Sequence, residues 1–352
     1  CIKKEALVSQ INKRTGQATE ACFKKGGTDI FASDYEAMSK ILCAHLQKAK
    51  EKDTLDRALS DALLDMCRRR LYGIGSIRVY GKRQKQIYAA KIALASHTVS
   101  AAALRREFEK VCGCRLSSPV YSIDGADIEF EMHSEPMYSA ECAIATLPKE
   151  GESCSGDSAD SLYNNEGYFY GILCDGMGTG RPAAVDGNLA AELTARLLKA
   201  GFTAELAARL VNVALALKSE DESGATLDLI SVDLYTGTAR LFKAGAAPGF
   251  LVHGGRVRAV GDTSLPVGIL GGVNGQSRVV HLTVGDYAVL VSDGLLVDGP
   301  GWVAKQLELS AAAGEAPEKV AKTLVETARV RAQKTGRPDD ITAAVLRLEK
   351  CV

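Results

Sequence analysis

A chain of 352 residues exceeds the usual size of one domain, and its 46% hydrophobic and 24% charged residues are globular proportions, so the sequence predicts two folded units and excludes wholesale disorder. Lys plus Arg and Asp plus Glu both total 43, so no overall field draws the protein to nucleic acid or to an anionic membrane. No apolar run reaches the length of a membrane span and no secretory signal opens the chain, which predicts a soluble, cytoplasmic fragment; it starts at Cys1 instead of Met, so an upstream part is expected.

The neutrality hides an asymmetry. Residues 1–150 hold 24 basic and 19 acidic side chains, and residues 151–352 the reverse, giving +5 and −5. From Met66 to Arg106 there is no acid at all, while Arg68, Arg69, Arg70, Lys82, Arg83 and Lys85 all fall there; a solvated face is favoured over a surface for an acidic partner. The ten cysteines show no paired zinc spacing, and Cys112-Gly-Cys114 lacks the companions a metal would need.

The first third reads as helical. Ser33 and Glu36 form a capping pattern before Tyr35, Met38, Ile41, Leu42, His45 and Leu46, which share one face. Thr54 offers a second cap, with Leu55, Leu59, Leu63 and Met66 at helical spacing up to the Arg68–Arg70 cluster, and Tyr72-Gly73 is expected to end the helix. Strands are expected at 76–80 and 87–94 around a polar turn, a helix from Ser100 to Val111, and a strand at Asp127–His133. These elements make a small α+β unit over residues 1–138, read as a regulatory or interaction region because it carries no catalytic pattern.

From Ser139 the texture changes to short apolar strands. Candidates are Phe169–Cys174, Thr226–Tyr235, Thr238–Lys243, Phe250–His253, Arg256–Val260, Ser277–Leu282, Tyr287–Ser292 and Ile341–Leu348, with Thr236-Gly237 and Gly254-Gly255 as hairpin connections. Helices fit Pro182–Lys199, Thr203–Lys218 and Pro317–Lys334. Strands outnumber helices too heavily for alternating βαβ units. The expected architecture of residues 139–352 is therefore two antiparallel sheets packed together with helices outside.

Four acidic sites lie near strand ends or beside glycine: Asp157, Asp175, Asp293 and the Asp339-Asp340 pair. Each alone is an ordinary turn signal. Gathered at one sheet end they would repel and take up protons unless a cation neutralised them, so a shared divalent metal is the physical reason to bring them together. The loop Asp175-Gly176-Met177-Gly178-Thr179-Gly180 does not read as a dinucleotide fingerprint, because Arg181 occupies the third glycine position and no acid follows about 20 residues on. No GxxxxGK[ST] loop exists. His253 and His281 lie within strand patterns, which disfavours a histidine-based hydrolase. Arg181 suits a phosphate, although a plain helix-surface arginine is the simpler reading.

Gly156-Asp157-Ser158, Cys174-Asp175-Gly176-Met177-Gly178-Thr179-Gly180, Ser292-Asp293-Gly294 and Asp339-Asp340-Ile341-Thr342 occur in an order that resembles the PPM-type (protein phosphatase 2C-like) phosphatases. Thr226-Leu227-Asp228-Leu229, Lys243-Ala244-Gly245-Ala246-Ala247-Pro248 and Leu265-Pro266-Val267-Gly268-Ile269 look like its bacterial branch, that of stage II sporulation protein E. The resemblance covers about the last 200 residues. It implies metal-dependent protein serine/threonine phosphatase activity with two Mn²⁺ or Mg²⁺ ions. It makes Asp175 the bridging ligand, assigns the Gly176 carbonyl and Asp157 to the second metal and Asp293 and Asp339 to the first, and makes Asp340 a neighbour of the metals. Whether Asp339 or Asp340 coordinates stays open. Hydrolysis by a water activated between the metals, without a covalent enzyme intermediate, is implied with them.

Relatives in that branch dephosphorylate an anti-sigma factor antagonist and so activate sigma-F. They carry membrane spans ahead of a region that binds the cell-division protein FtsZ and self-associates, so the resemblance implies those partners and a septal, membrane-anchored setting on the cytoplasmic side. The alternatives are a catalytically silent scaffold of the same fold at the division septum, disfavoured because all four acidic sites are retained, and a small-molecule phosphohydrolase.

Overall fold

The computed structural model describes residues 43, 54–81, 84–92, 100–124, 127–178, 180–218, 224–261, 264–268, 275–336 and 338–351. The helix expected after Ser33 falls outside these residues except for Cys43. The chain divides into two units, Cys1–Glu135 and Pro136–Val352.

In the first unit, α1 (Arg57–Arg69) and α2 (Ala101–Cys112) pack on an antiparallel sheet of order β1-β2-β4-β3, with strands Ile74–Tyr80, Gln86–Ile92, Val120–Asp124 and Asp127–His133. The cap of α1 is Asp56, whose carboxylate accepts from the Leu59 amide at 3.0 Å; Thr54 lies too early. A carboxylate at this position satisfies one orphan amide and meets the positive helix end, which a threonine two residues upstream cannot do. Leu63, Met66 and Cys67 face inward. The helix ends at Arg69 with Arg70 as its cap, and Leu71, held at φ 58, turns the chain just ahead of the expected Tyr72-Gly73. Ser100 caps α2 as the sequence predicts, and Gly113 closes it in the left-handed conformation. Alternation along the sheet sends Ile77, Val79, Ile87, Ala89, Phe130 and Met132 to the helices. The unpredicted β3 exposes Val120, Tyr121 and Ile123, so no alternation marks it in the sequence.

The second unit is a sandwich of two five-stranded antiparallel sheets. One has the order β11-β10-β13-β14-β5 and the other β12-β9-β8-β7-β6. The first sheet comprises β5 (Tyr138–Leu147), β10 (Gly249–His253), β11 (Arg256–Val260), β13 (Tyr287–Val291) and β14 (Ile341–Lys350). The second comprises β6 (Asp157–Tyr163), β7 (Tyr168–Asp175), β8 (Leu227–Asp233), β9 (Thr238–Ala244) and β12 (Gln276–His281).

Strand periodicity divides the side chains between three cores. Phe169, Leu173, Ile230, Val232, Leu241, Leu290 and Leu346 meet between the sheets. The alternate set Ile172, Cys174, Leu227 and Leu229 packs under α3 (Gly180–Lys199) and α4 (Ala204–Lys218). Val289, Val291, Ile341 and Val345 pack under α5 (Gly301–Ala312) and α6 (Pro317–Thr335). Each such side chain contributes about 1.5–3 kcal/mol by leaving water. This is the predicted sandwich with outer helices.

Three elements of this unit escape the sequence reading for physical reasons. β5 is built largely of Ala, Ser, Thr and Glu, β6 is a polar edge strand, and α5 starts at Pro300 with no side-chain cap.

Candidate metal centre

The acidic residues gather because five strand ends meet at one rim of the sandwich. β6 begins at Asp157 and β7 ends at Asp175, and the two residues are direct partners in the antiparallel ladder. β13 ends one residue before Ser292, and Asp293 opens a single 3₁₀ turn. β14, paired with both β13 and β5, begins just after Asp339-Asp340.

Local hydrogen bonds hold these ends in register. The Asp175 amide donates to Thr226 Oγ1 at 2.9 Å, and the Thr226 amide returns a bond to the Asp175 carbonyl at 2.8 Å. The Thr342 amide donates to Ser292 Oγ at 2.9 Å, and the Ser292 amide to the Thr342 carbonyl at 3.0 Å. Across the sandwich, Asp340 accepts from the amides of Lys149 and Gly156, both at 2.8 Å, and so fastens the two ends of the β5–β6 connection. The Gly156 carbonyl in turn accepts from the Gly176 amide at 3.1 Å. Gly176 has no room for a side chain: a Cβ there would lie 1.9 Å from the Ala183 carbonyl of α3.

The electrostatics are those of a site built around positive charge. Both carboxylate oxygens of Asp157 are buried without a hydrogen-bond partner. Thr342 Oγ1 also has Thr146 Oγ1 at 3.2 Å and Ser292 Oγ the Asp340 carbonyl at 3.3 Å, so each of the two nearby hydroxyls has another acceptor within reach. Burial pushes the Asp157 carboxyl up to about 6, against the weaker pull of those hydroxyls. Asp175 is pushed up to about 8, first by burial and then by the charges of Asp157, Asp293, Asp339 and Asp340. Asp293 is raised by the protein around its carboxyl and by Asp339.

An orphaned buried carboxylate among mutually repelling neighbours, all hard oxygen donors, fits Mg²⁺ or Mn²⁺. Among the described residues no three His, Cys, Asp or Glu side chains form a ready cluster around one point. Asp340 is turned to its two amides and Asp339 is exposed, while carbonyl and water ligands complete such sites without a third carboxylate at one point.

Arg181 is exposed in the first turn of α3. The sequence reading quoted Thr226, Ser292 and Thr342 within motifs but gave them no role, and their oxygens set the strand ends. It also missed a fully buried ion pair between Asp228 and Lys243, in which Lys243 also donates to the Ala247 carbonyl at 2.8 Å. Their signal was two charges at inward positions of otherwise apolar strands. His253 is satisfied by Asp286, with Nδ1 2.7 Å from the carboxylate.

The family model for stage II sporulation protein E matches residues 165–349. The stage II sporulation protein E of Bacillus subtilis (strain 168) is 28% identical over 221 residues, 61% of this chain and 26% of that protein. The one from Priestia megaterium is 27% identical over 217 residues, 60% of this chain and 37% of that protein. The chain thus spans only about a quarter to somewhat over a third of these relatives.

The solved PP2C phosphatase domain with a fragment of the regulatory domain of SpoIIE from Bacillus subtilis superposes with a TM-score of 0.66 at 21% identity, covering 93% of this chain and 98% of that one. The RsbU and RsbW domains of Rv1364c from Mycobacterium tuberculosis give 0.52 at 22% identity, over 62% of each chain. Both likenesses establish the fold. With its model matching more than half of the residues, the chain belongs to the stage II sporulation protein E family.

Proposed function

We propose that the second unit is a metal-dependent protein serine/threonine phosphatase, and the observation that carries this is the buried, partnerless Asp157 set directly opposite Asp175 at the carboxylate-lined rim. Asp157, Asp175, the Gly176 carbonyl, Asp293 and Asp339 would hold two divalent cations. When bound, the cations supply an acidified water as nucleophile and charge stabilisation for the phosphoryl oxygens. The chain does the rest. Thr226 fixes Asp175 by its backbone, and Asp340 holds the β5–β6 connection so that Gly156 can receive the Gly176 amide. The β7–α3 turn stays close to α3 because residue 176 has no side chain.

The substrate proposed is a phosphorylated anti-sigma factor antagonist, whose dephosphorylation would activate a sporulation sigma factor of the sigma-F kind; family membership supports it. The first unit is proposed as a regulatory and partner-binding region, with FtsZ and self-association as its family-derived contacts and membrane attachment through parts of a longer protein. Among the described residues no helix is long and apolar enough to cross a membrane.

The deciding experiment is release of phosphate from a serine-phosphorylated protein by the purified chain with Mn²⁺ against an EDTA control. Turnover that survives chelation refutes metal dependence. No turnover with Mn²⁺ or Mg²⁺ favours the silent scaffold. Removing residues 1–135 and finding unchanged Mn²⁺ affinity and turnover would leave the first unit a localisation role only.

A further inference from the structure

Away from the carboxylate rim, the first unit holds two thiols against each other. Cys112 is the last residue of α2, Gly113 caps the helix in the left-handed conformation, and the chain turns there before Cys114. Glu109 fixes this turn twice: its carbonyl accepts from the Gly113 amide at 2.9 Å, and its carboxylate accepts from the Leu116 amide at 3.1 Å. Within the turn the Cys112 thiol donates a hydrogen bond to the Cys114 sulfur. Both side chains are half-buried against the core of the unit. Gly113 between them is exposed, and a Cβ there would meet nothing within 4 Å, so the turn is open to a small reagent from outside.

The two sulfurs differ in kind. The bond from Cys112, helped by the Lys85 ammonium, brings the Cys114 thiol down to about 7, against burial and the charge of Glu109. The same bond, then burial and the charge of Cys114, push Cys112 up, with Asp56 adding to the effect and Lys85 opposing it. Lys85 is kept in place by its backbone, whose amide donates to Ser134 Oγ at 2.8 Å and whose carbonyl accepts from the Ser134 amide at 2.9 Å. At neutral pH the turn therefore holds a thiolate with a protonated thiol in contact, whereas Cys67, Cys142 and Cys174 are pushed up by burial and are poor nucleophiles. Two sulfurs alone make an incomplete metal site, but they are a complete redox pair.

We propose that Cys112 and Cys114 are a reversible redox pair that a peroxide oxidises to a disulfide, with Cys114 the attacking sulfur and Cys112 the resolving one. This chemistry needs neither the metal centre nor the phosphatase reading. The Cys114 thiolate attacks one oxygen of hydrogen peroxide: an S–O bond forms, the O–O bond breaks, and the departing hydroxide takes up a proton to leave as water, giving a sulfenic acid. Cys112 then attacks the Cys114 sulfur. The S–S bond forms, the S–O bond breaks, and the leaving hydroxide carries off the Cys112 proton as a second water. The two thiols lose two electrons, which the peroxide gains, and a dithiol reductant restores the pair by exchange.

The test is mass spectrometry of the whole chain, because trypsin releases Val111–Arg115, which carries both cysteines and no other. The reduced protein is treated with a slight excess of hydrogen peroxide near neutral pH, unfolded, alkylated with iodoacetamide and digested. The Val111–Arg115 peptide should come out two hydrogens lighter and without alkyl groups, and should regain both after dithiothreitol, while the peptides of Cys67 and Cys174 stay alkylated throughout. Cys112→Ala removes the donor, so the midpoint of the pH profile for alkylating Cys114 in the folded protein should rise from near 7 to about 8.5, and peroxide should carry Cys114 on to the sulfinic acid, which dithiothreitol does not reverse. Cys112→Ser still has a hydroxyl to donate and should keep the low midpoint while forming no disulfide. In Cys114→Ala, Cys112 should remain alkylatable after peroxide. Two alkylated thiols in the treated parent, or a disulfide that joins either residue to another cysteine or another chain, overturns the pair. Peroxide oxidation of Cys112 that persists in Cys114→Ala overturns the roles assigned to the two sulfurs.

Discussion

Replacing Asp175 by Asn should stabilise the metal-free protein at alkaline pH while destroying its proposed use of metal. The folded chain raises this carboxyl from its ordinary 3.8 to about 8, chiefly by burial and then by four neighbouring aspartates. Between those two values the folded state keeps a proton that the unfolded chain has released, so stability falls as pH rises through the window and the deficit is complete only above about pH 8. Taken at face value the gap amounts to about 6 kcal/mol. Water reaching a site at the rim and protons shared among coupled carboxylates reduce this to about 1–3 kcal/mol.

For a unit of this size that corresponds to a melting temperature about 3–8 °C higher for Asp175→Asn in EDTA near pH 8.5, and to no difference near pH 4. Saturating Mn²⁺ should reverse the order, since the cations neutralise the parent's carboxylates and bind the variant poorly. Thermal melts of both proteins at the two pH values, with and without metal, decide the matter. Coincident curves in EDTA at alkaline pH would refute the account of a repelling carboxylate cluster centred on Asp175.

Asp293→Asn and Asp339→Asn should each lower Mn²⁺-dependent turnover by about a hundredfold or more, whereas Asp340→Asn, which keeps one acceptor for the two amides of Lys149 and Gly156, should cost only several-fold. Asp340→Ala strips both amides of their acceptor and should lower stability by about 1–3 kcal/mol in a denaturant titration. Gly176→Ala must push α3 away from the turn, since its Cβ would overlap the Ala183 carbonyl, and calorimetry should find Mn²⁺ bound about 10–100-fold more weakly. Lys243→Met leaves Asp228 charged and unpaired in the core at a cost of about 3–5 kcal/mol, while Asp228→Leu with Lys243→Met should recover most of it.

Much of this molecule is legible in its residues, and the reasons differ between elements. β7 and β13 are continuous apolar runs closed by polar residues, and α6 is bracketed by Pro317 and Gly336, so pattern and end signals agree. The strands β5 and β6 could not be read because small and polar residues line them; β6 at the sheet edge has no second neighbour to make it apolar. Asp56 displaced Thr54 as a cap because capping depends on backbone angles that composition does not reveal. The acidic positions were visible as Asp-Gly and Asp-Asp signals at strand ends. What the sequence left hidden was the division of labour within Asp339-Asp340, where the second carboxylate is occupied by two amides from a connection far away along the chain.

That long reach bears on how the protein comes to be made. β14 is not an edge strand; it lies between β13 and β5, and Ile341 pairs with Leu147. A ribosome therefore releases β5 long before its hydrogen-bonding neighbour exists, and the bond between Gly156 and Asp340 joins residues 184 positions apart. Closing a loop of that length costs about 4–5 kcal/mol of chain entropy, which neither residue can offset until the intervening strands have paired. A nascent chain that ends before residue 339 holds three carboxylates of the rim, Asp157, Asp175 and Asp293, but lacks Asp339 and the Asp340 that fastens the β5–β6 connection. The second unit should consequently keep an incomplete rim through most of its synthesis, with β5 an unpaired edge needing protection, and assemble that rim in one late step.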